Sequence, residues 1–72
     1  MTYKEPVYRF RVMKQLNDAE RNPEGNWSLY YSTPDYGNAE EVAATKREHS
    51  KFGDKYEVVD GGGTTYIERQ VY

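Results

Sequence analysis

A chain of 72 residues holds one small domain, residues 1–72, and its composition narrows what that domain does. With no cysteine and one histidine it has neither a disulfide framework nor the ligands for a zinc site. A net charge of −2, with 31% charged residues of both signs, lacks the basic excess of a protein that grips duplex nucleic acid by its phosphates.

The residues from Met1 to Pro6 contain no apolar run of signal-peptide length. No stretch approaches the roughly 20 apolar residues of a membrane span, so the expected location is the cytoplasm, without membrane contact. From Val7 to Met13 the side chains alternate. Tyr8, Phe10 and Val12 point one way and Arg9, Arg11 and Met13 the other, which predicts a half-buried strand reaching Leu16. Pro6 suits the strand start, where a missing donor is tolerated. Lys14 falls on the face of Phe10, so the strand either bulges near Met13 or outruns the core. The polar run Asn17–Asn26, with Asn22-Pro23-Glu24-Gly25 as a type I turn, is a loop.

Trp27–Ser32 predicts a second strand, with Trp27, Leu29 and Tyr31 on one face and Ser28, Tyr30 and Ser32 on the other. Thr33 to Gly37 reads as a turn. A helix is expected from Ala39 to Phe52, capped by Asn38, with Glu41 reaching back toward the cap and Gly53 as its left-handed stop. Its apolar stripe is thin: Val42, Thr45 or Lys46, His49 and Phe52, flanked by Ala39 and Ala43. Small residues there let the helix lie close to a sheet. Lys55–Asp60 predicts a third strand, Asp60-Gly61 a hairpin, and Thr64–Tyr72 a fourth strand. In the last strand Arg69 falls on the apolar face beside Ile67 and must snorkel or lie past the core edge. The expected fold is α+β in β-β-α-β-β order: a four-stranded, mainly antiparallel sheet with one helix packed on one face.

The residues offer little chemistry. His49 and Ser50 are neighbours on a helix and do not face each other, and His49 is expected to pack on the helix stripe. Asp18, Glu20 and Asn22 alternate as in a calcium loop, but Pro23 occupies the required glycine position and Leu29 that of the closing glutamate. Gly61-Gly62-Gly63 has no Lys-Ser/Thr after it and lies between strands, so it is a hairpin tip rather than a phosphate cradle. No enzyme activity, cofactor or metal is expected.

Binding is the better expectation. A domain this small buries only about 60% of the surface its unfolded chain exposes. Eight tyrosines, two phenylalanines and one tryptophan therefore cannot all be hidden. The face turned from the helix is expected to carry Arg9, Arg11, Met13, Tyr30, Glu57, Val59, Tyr66, Glu68 and Tyr72. Arg9, Arg11, Tyr30 and Tyr66 are its candidate binding residues, because Tyr and Arg bury large area and still hydrogen bond. The first partner is another protein; a second copy of the chain could hide the same face. The alternative is a weak single-stranded nucleic-acid-binding module that stacks bases on the rings, against which Glu57 and Glu68 argue by charge. The same residues also fit an ordinary strand surface with Arg9 and Arg11 paired to Glu57 and Glu68. The free edge of the last strand is a further pairing site. Lys46, Arg47 and Lys51 form a solvated basic helix face.

The helix Ala39–Phe52, centred on Lys46-Arg47-Glu48 and followed by two strands with a glycine tip, resembles those of very small bacteriophage and mobile-element accessory proteins, some type I anti-CRISPR inhibitors among them. The resemblance covers the C-terminal half. It implies a small, non-enzymatic protein, phage-encoded, that acts by binding a host protein or complex, and it assigns no functional residue.

Overall fold

A computed structural model describes residues 1–71; Tyr72, assigned above to the outward face, lies outside the described residues. The elements are β1 (Thr2–Val7), β2 (Phe10–Gln15), β3 (Trp27–Thr33), α1 (Tyr36–His49), β4 (Lys55–Asp60) and β5 (Thr65–Gln70). The class is α+β, with strands before and after one helix. The strands form two antiparallel sheets, β3-β2-β4 and β1-β5, rather than one of four strands.

The difference has one cause. The stretch read as a single strand from Val7 to Leu16 is broken at Tyr8-Arg9, and its N-terminal extension is itself a strand. β4 and β5 do not form a hairpin with each other. They run on in line, and both pair with the N-terminal segment. Phe10 to Gln15 lie opposite Asp60 to Lys55, and Thr2 to Val7 opposite Gln70 to Thr65. Two residues, Tyr8 and Arg9, thus face four, Gly61 to Thr64, where the register shifts. Gly61-Gly62-Gly63 is a link between sheets rather than a tip. Pro6 sits inside β1, opposite Tyr66, and is tolerated because β1 is paired on one side only.

β3 adds to the other side of β2, with a register shift between Val12 and Met13. Val12 faces Tyr31 and Met13 faces Leu29, so Tyr30 is the extra residue of a β-bulge. The irregularity expected near Met13 therefore lies across from it, in the partner strand. The loop from Leu16 to Asn26 is held by its own amides: Asn22 Nδ2 donates to the carbonyls of Leu16 and Asn26, and Asn22 Oδ1 accepts from Asn26 N.

α1 starts three residues earlier than its sequence suggests. Asp35 is the N-cap, its carboxylate accepting from Gly37 N at 2.9 Å, and Asp35 N donates to Thr33 Oγ1. The segment Thr33–Gly37, expected as a turn, holds the last residue of β3, the bend at Pro34, the cap Asp35 and the first two helical residues. α1 ends at His49, where Ser50 turns extended and its hydroxyl accepts from Asp54 N. Gly53 does take positive φ, 73°, but in the turn that leads into β4.

The helix packs on the β3-β2-β4 sheet through Ala39 and Ala43, one turn apart and both buried. They meet Val12, which is 0% exposed, and Tyr56, with Phe10, Val42 and Val58 around them. His49 and Phe52, expected on the stripe, are exposed, Phe52 by 75%. The helix is rotated so that its smallest side chains touch the sheet, because only they allow close approach. Lys14, on the helix side as alternation requires, runs over the rings of Tyr30 and Tyr56 and lies 3.8 Å from Asp54.

A close helix leaves no room for a larger side chain. Ala43→Leu is expected to lower the unfolding free energy by about 1–3 kcal/mol. Ala44→Leu, on the exposed side, should change it by less than about 0.5 kcal/mol. Urea denaturation reads both; equal midpoints would show that α1 does not rest on Val12.

Candidate functional site

One helix covers one face, and the register gives the composition of the other. Since Val12 and Tyr56 point at α1, their strand neighbours point away. β2 contributes Arg11, Met13 and Gln15; β4 contributes Lys55, Glu57 and Val59. β3 contributes Trp27 and Leu29, opposite Gln15 and Met13, and Ser32, opposite Arg11. Met13, Glu57 and Val59 are on the face to which alternation assigned them. Trp27 and Leu29 are not: they were expected under the helix.

The bulge causes that exchange. An extra residue at Tyr30 inverts the alternation between the two halves of β3. Tyr31 stays beside the helix, its hydroxyl 3.5 Å from Asn38 Oδ1. Tyr30 joins it on that side: its ring stands edge-on to Tyr56 at 5.5 Å, with the Lys46 ammonium of α1 5.6 Å from its centroid. Trp27 and Leu29 are left on the uncovered face, 38% and 39% exposed.

The four candidate binding residues do not converge. Arg9 sits at the break between the sheets. Its guanidinium holds Asp60 by two hydrogen bonds, 2.8 and 2.9 Å, and its Cζ lies 5.0 Å from the centre of the Phe10 ring. The Arg11 side chain starts on the uncovered face and turns into the break. It donates to Tyr8 O at 3.0 Å, Gly63 O at 3.2 Å and Thr65 Oγ1 at 3.1 Å. Tyr30 is on the helix side. Tyr66 is exposed in the second sheet, opposite Pro6. The pairings expected of Arg9 and Arg11 with Glu57 and Glu68 are replaced by Arg9 with Asp60 and by Arg11 with backbone. Arg69 reaches Glu5 across β1 and β5 instead of snorkelling. A base-stacking platform with free guanidinium groups is therefore not assembled on one surface.

What is assembled is an apolar strip, Trp27, Leu29 and Met13, bordered by Gln15, Lys55, Glu57 and Arg11. An apolar centre with a polar rim is the make-up of a protein-binding patch. Beside it a groove of about 370 Å³ runs between Glu5–Tyr8 of the β1 side and Leu29–Ser32, closed at one end where Tyr8 N donates to Ser32 Oγ at 3.1 Å. Sequence reasoning overlooked Trp27 and Leu29. The adjacent Tyr30-Tyr31 pair, two large aromatics in a row in an alternating strand, was the available signal.

The break beside the patch is tied together by hydrogen bonds. Gly61 N donates to Arg9 O at 2.7 Å. A Cβ on Gly61 would come within 2.5 Å of Arg11 Cζ, which three hydrogen bonds hold in place. Gly61→Ala is thus expected to cost about 1–2 kcal/mol in the wild-type background and clearly less when Arg11 is already alanine. A double-mutant cycle by thermal unfolding measures the coupling; additive effects would show that the two do not meet.

The Asp60 carboxyl lies at about 2, below its ordinary 3.8, chiefly because the Arg9 guanidinium donates to it and secondly because Gly62 N does. A depressed carboxyl stabilises the fold above the ordinary value, and this contribution is lost as pH falls through about 2. Carbon-detected NMR of the Asp60 carboxyl should show a midpoint near 2 that rises toward 3.8 in Arg9→Ala. A wild-type midpoint at 3.8 refutes the pair.

Comparison of the chain with protein-family models, with curated proteins and with solved structures finds no match.

Proposed function

We propose that this chain is a non-enzymatic binding protein of the phage accessory kind, which acts by occupying the surface of a host protein or complex in the manner of an inhibitor. The observation that carries the reading is the exposure of Trp27 and Leu29 together with Met13 on the face α1 does not cover. Large apolar side chains on a small domain are costly to leave in water, and contiguous ones mark interaction sites. Trp is among the residues that dominate binding energies, and the Trp27 backbone is placed by its pairing with Gln15 of β2. Gln15, Lys55, Glu57 and Arg11 around the strip supply the polar rim that sets orientation.

The test keeps the fold and removes the strip. Trp27→Ala and Met13→Ser are expected to weaken capture of the partner from host lysate by about thirtyfold or more each. Tyr66→Ala, on the other sheet, should leave capture unchanged. A photo-crosslinking residue at position 29 should link the same partner. Equal loss from Tyr66→Ala, or full capture by the Trp27 variant with its circular dichroism intact, would refute this face as the binding surface.

A further inference from the structure

Where the Leu16–Asn26 loop leaves β2 it meets the turn between α1 and β4, and a cavity of about 580 Å³ is lined by both. That size is in the range of small-molecule sites. Its walls are tied together. Asn17 Nδ2 donates to Phe52 O at 2.8 Å, Asn17 N donates to Asp54 Oδ1 at 2.8 Å, and Asp54 N donates to Ser50 Oγ at 2.9 Å. Phe52 and Leu16 form the apolar side of the cavity, 75% and 37% exposed.

The polar side carries an ion pair partly withdrawn from water: the Asp54 side chain is 14% exposed and that of Lys14 26%. Asp54 commits Oδ1 to Asn17 N and turns Oδ2 to the Lys14 ammonium, but at 3.8 Å the two are beyond hydrogen-bond reach. Among the described residues Oδ2 accepts no hydrogen bond and the ammonium donates none; Lys14 lies over the rings of Tyr30 and Tyr56. Charges held away from water need hydrogen-bond partners, and both groups line the cavity. A second pair, Arg21 with Asp18 at 3.7 Å, lines it too, but is 81% and 44% exposed and contributes little.

An anion and a cation 3.8 Å apart match a ligand whose own two charges are equally close. An α-amino acid carries both on one carbon. Its ammonium donates to Asp54 Oδ2 while its carboxylate accepts from Lys14 Nζ, and the four groups close a ring of alternating sign. A simple anion would meet Asp54, and a simple cation Lys14, as like charges. The ligand's side chain then falls against Phe52 and Leu16, which select an apolar one.

We propose that this cavity binds a free α-amino acid with an apolar side chain, of the leucine or phenylalanine kind. The site shares no residue with the Trp27 strip, so the inference goes beyond the proposed function and either can fail without the other. Two-dimensional NMR of the whole chain titrated with L-leucine should shift the Asn17 and Asp54 amides with a dissociation constant of about 1 mM or below. N-acetylleucine, without the ammonium, and leucinamide, without the carboxylate, should each bind at least tenfold more weakly, and so should glycine, for want of a side chain. Asp54→Asn keeps the acceptor for Asn17 N, and Lys14→Met keeps a stem over the rings; each should weaken leucine binding at least tenfold. Phe52→Ala, at an exposed position, should weaken it about tenfold with circular dichroism unchanged. No shift of these amides up to about 20 mM leucine overturns the proposal. So do acetylated or amidated leucine binding as tightly as leucine itself, or Asp54→Asn and Phe52→Ala chains that bind it like wild type.

Discussion

Residues 2–15 pair with residues 55–70 along nearly their whole length, and that pairing places everything else. β2 takes β4 on one side and so has its other side free for β3. The helix, tethered between β3 and β4, has only the width of this three-stranded sheet to rest on. Ala39 and Ala43 let it come close enough for Val12 to lose all contact with water. The core beneath the helix is Val12, Ala39, Ala43 and Tyr56, and Val7 of β1 is buried apart from it, a small total for a chain of 72 residues. For such a domain the net hydrophobic stabilisation is only roughly 3–5 kcal/mol. Ladder hydrogen bonds along this ribbon add to it, whereas the ion pairs Arg9–Asp60 and Arg69–Glu5 are half exposed and contribute little.

The bulge at Tyr30 divides the surface into two chemistries. On the helix side it gathers Tyr30, Tyr31 and Tyr56 with the ammonium groups of Lys14 and Lys46, so that rings and cations satisfy one another. On the opposite side it exposes Trp27 and Leu29 next to Met13. A regular strand would have hidden the tryptophan and presented Tyr30. One inserted residue thus exchanges a tyrosine–arginine surface for an apolar one, and moves the binding reading from hydrogen-bonding rings to an apolar anchor.

Much of this was legible in the residues, and the failures share a physical origin. Local signals worked where they were local: the alternation around Phe10 and Val12, the loop at Asn22-Pro23-Glu24-Gly25, the strand Lys55–Asp60, and the small residues of the helix. Asp35 was read as a turn residue although its carboxylate can cap as well as that of Asn38, because turn and cap chemistry use the same side chains. β1 was invisible because Lys4, Glu5 and Pro6 argue against a strand, and what makes it one is pairing with residues 58 to 68 positions away. The Asp60-Gly61 hairpin failed for the same reason: a glycine run permits a reversal without requiring it, and the N-terminal segment offered both following strands a longer partner. Of the candidate site, Arg9, Arg11, Tyr30 and Tyr66 were each identified as polar or aromatic surface. Their separation follows from the break at Tyr8-Arg9 and the bulge, neither of which periodicity alone can locate.

The ribbon also sets an order of events during synthesis. β2 and β3 lie within residues 10–33, so a β2–β3 hairpin needs no later segment of the chain. β1 cannot form so early: its partner β5 comes after every other strand described here, and until then Thr2–Val7 is unpaired, with Lys4, Glu5 and Pro6 to discourage pairing with other edges. The features that hid this strand from pattern reading are those that blunt it as an open edge.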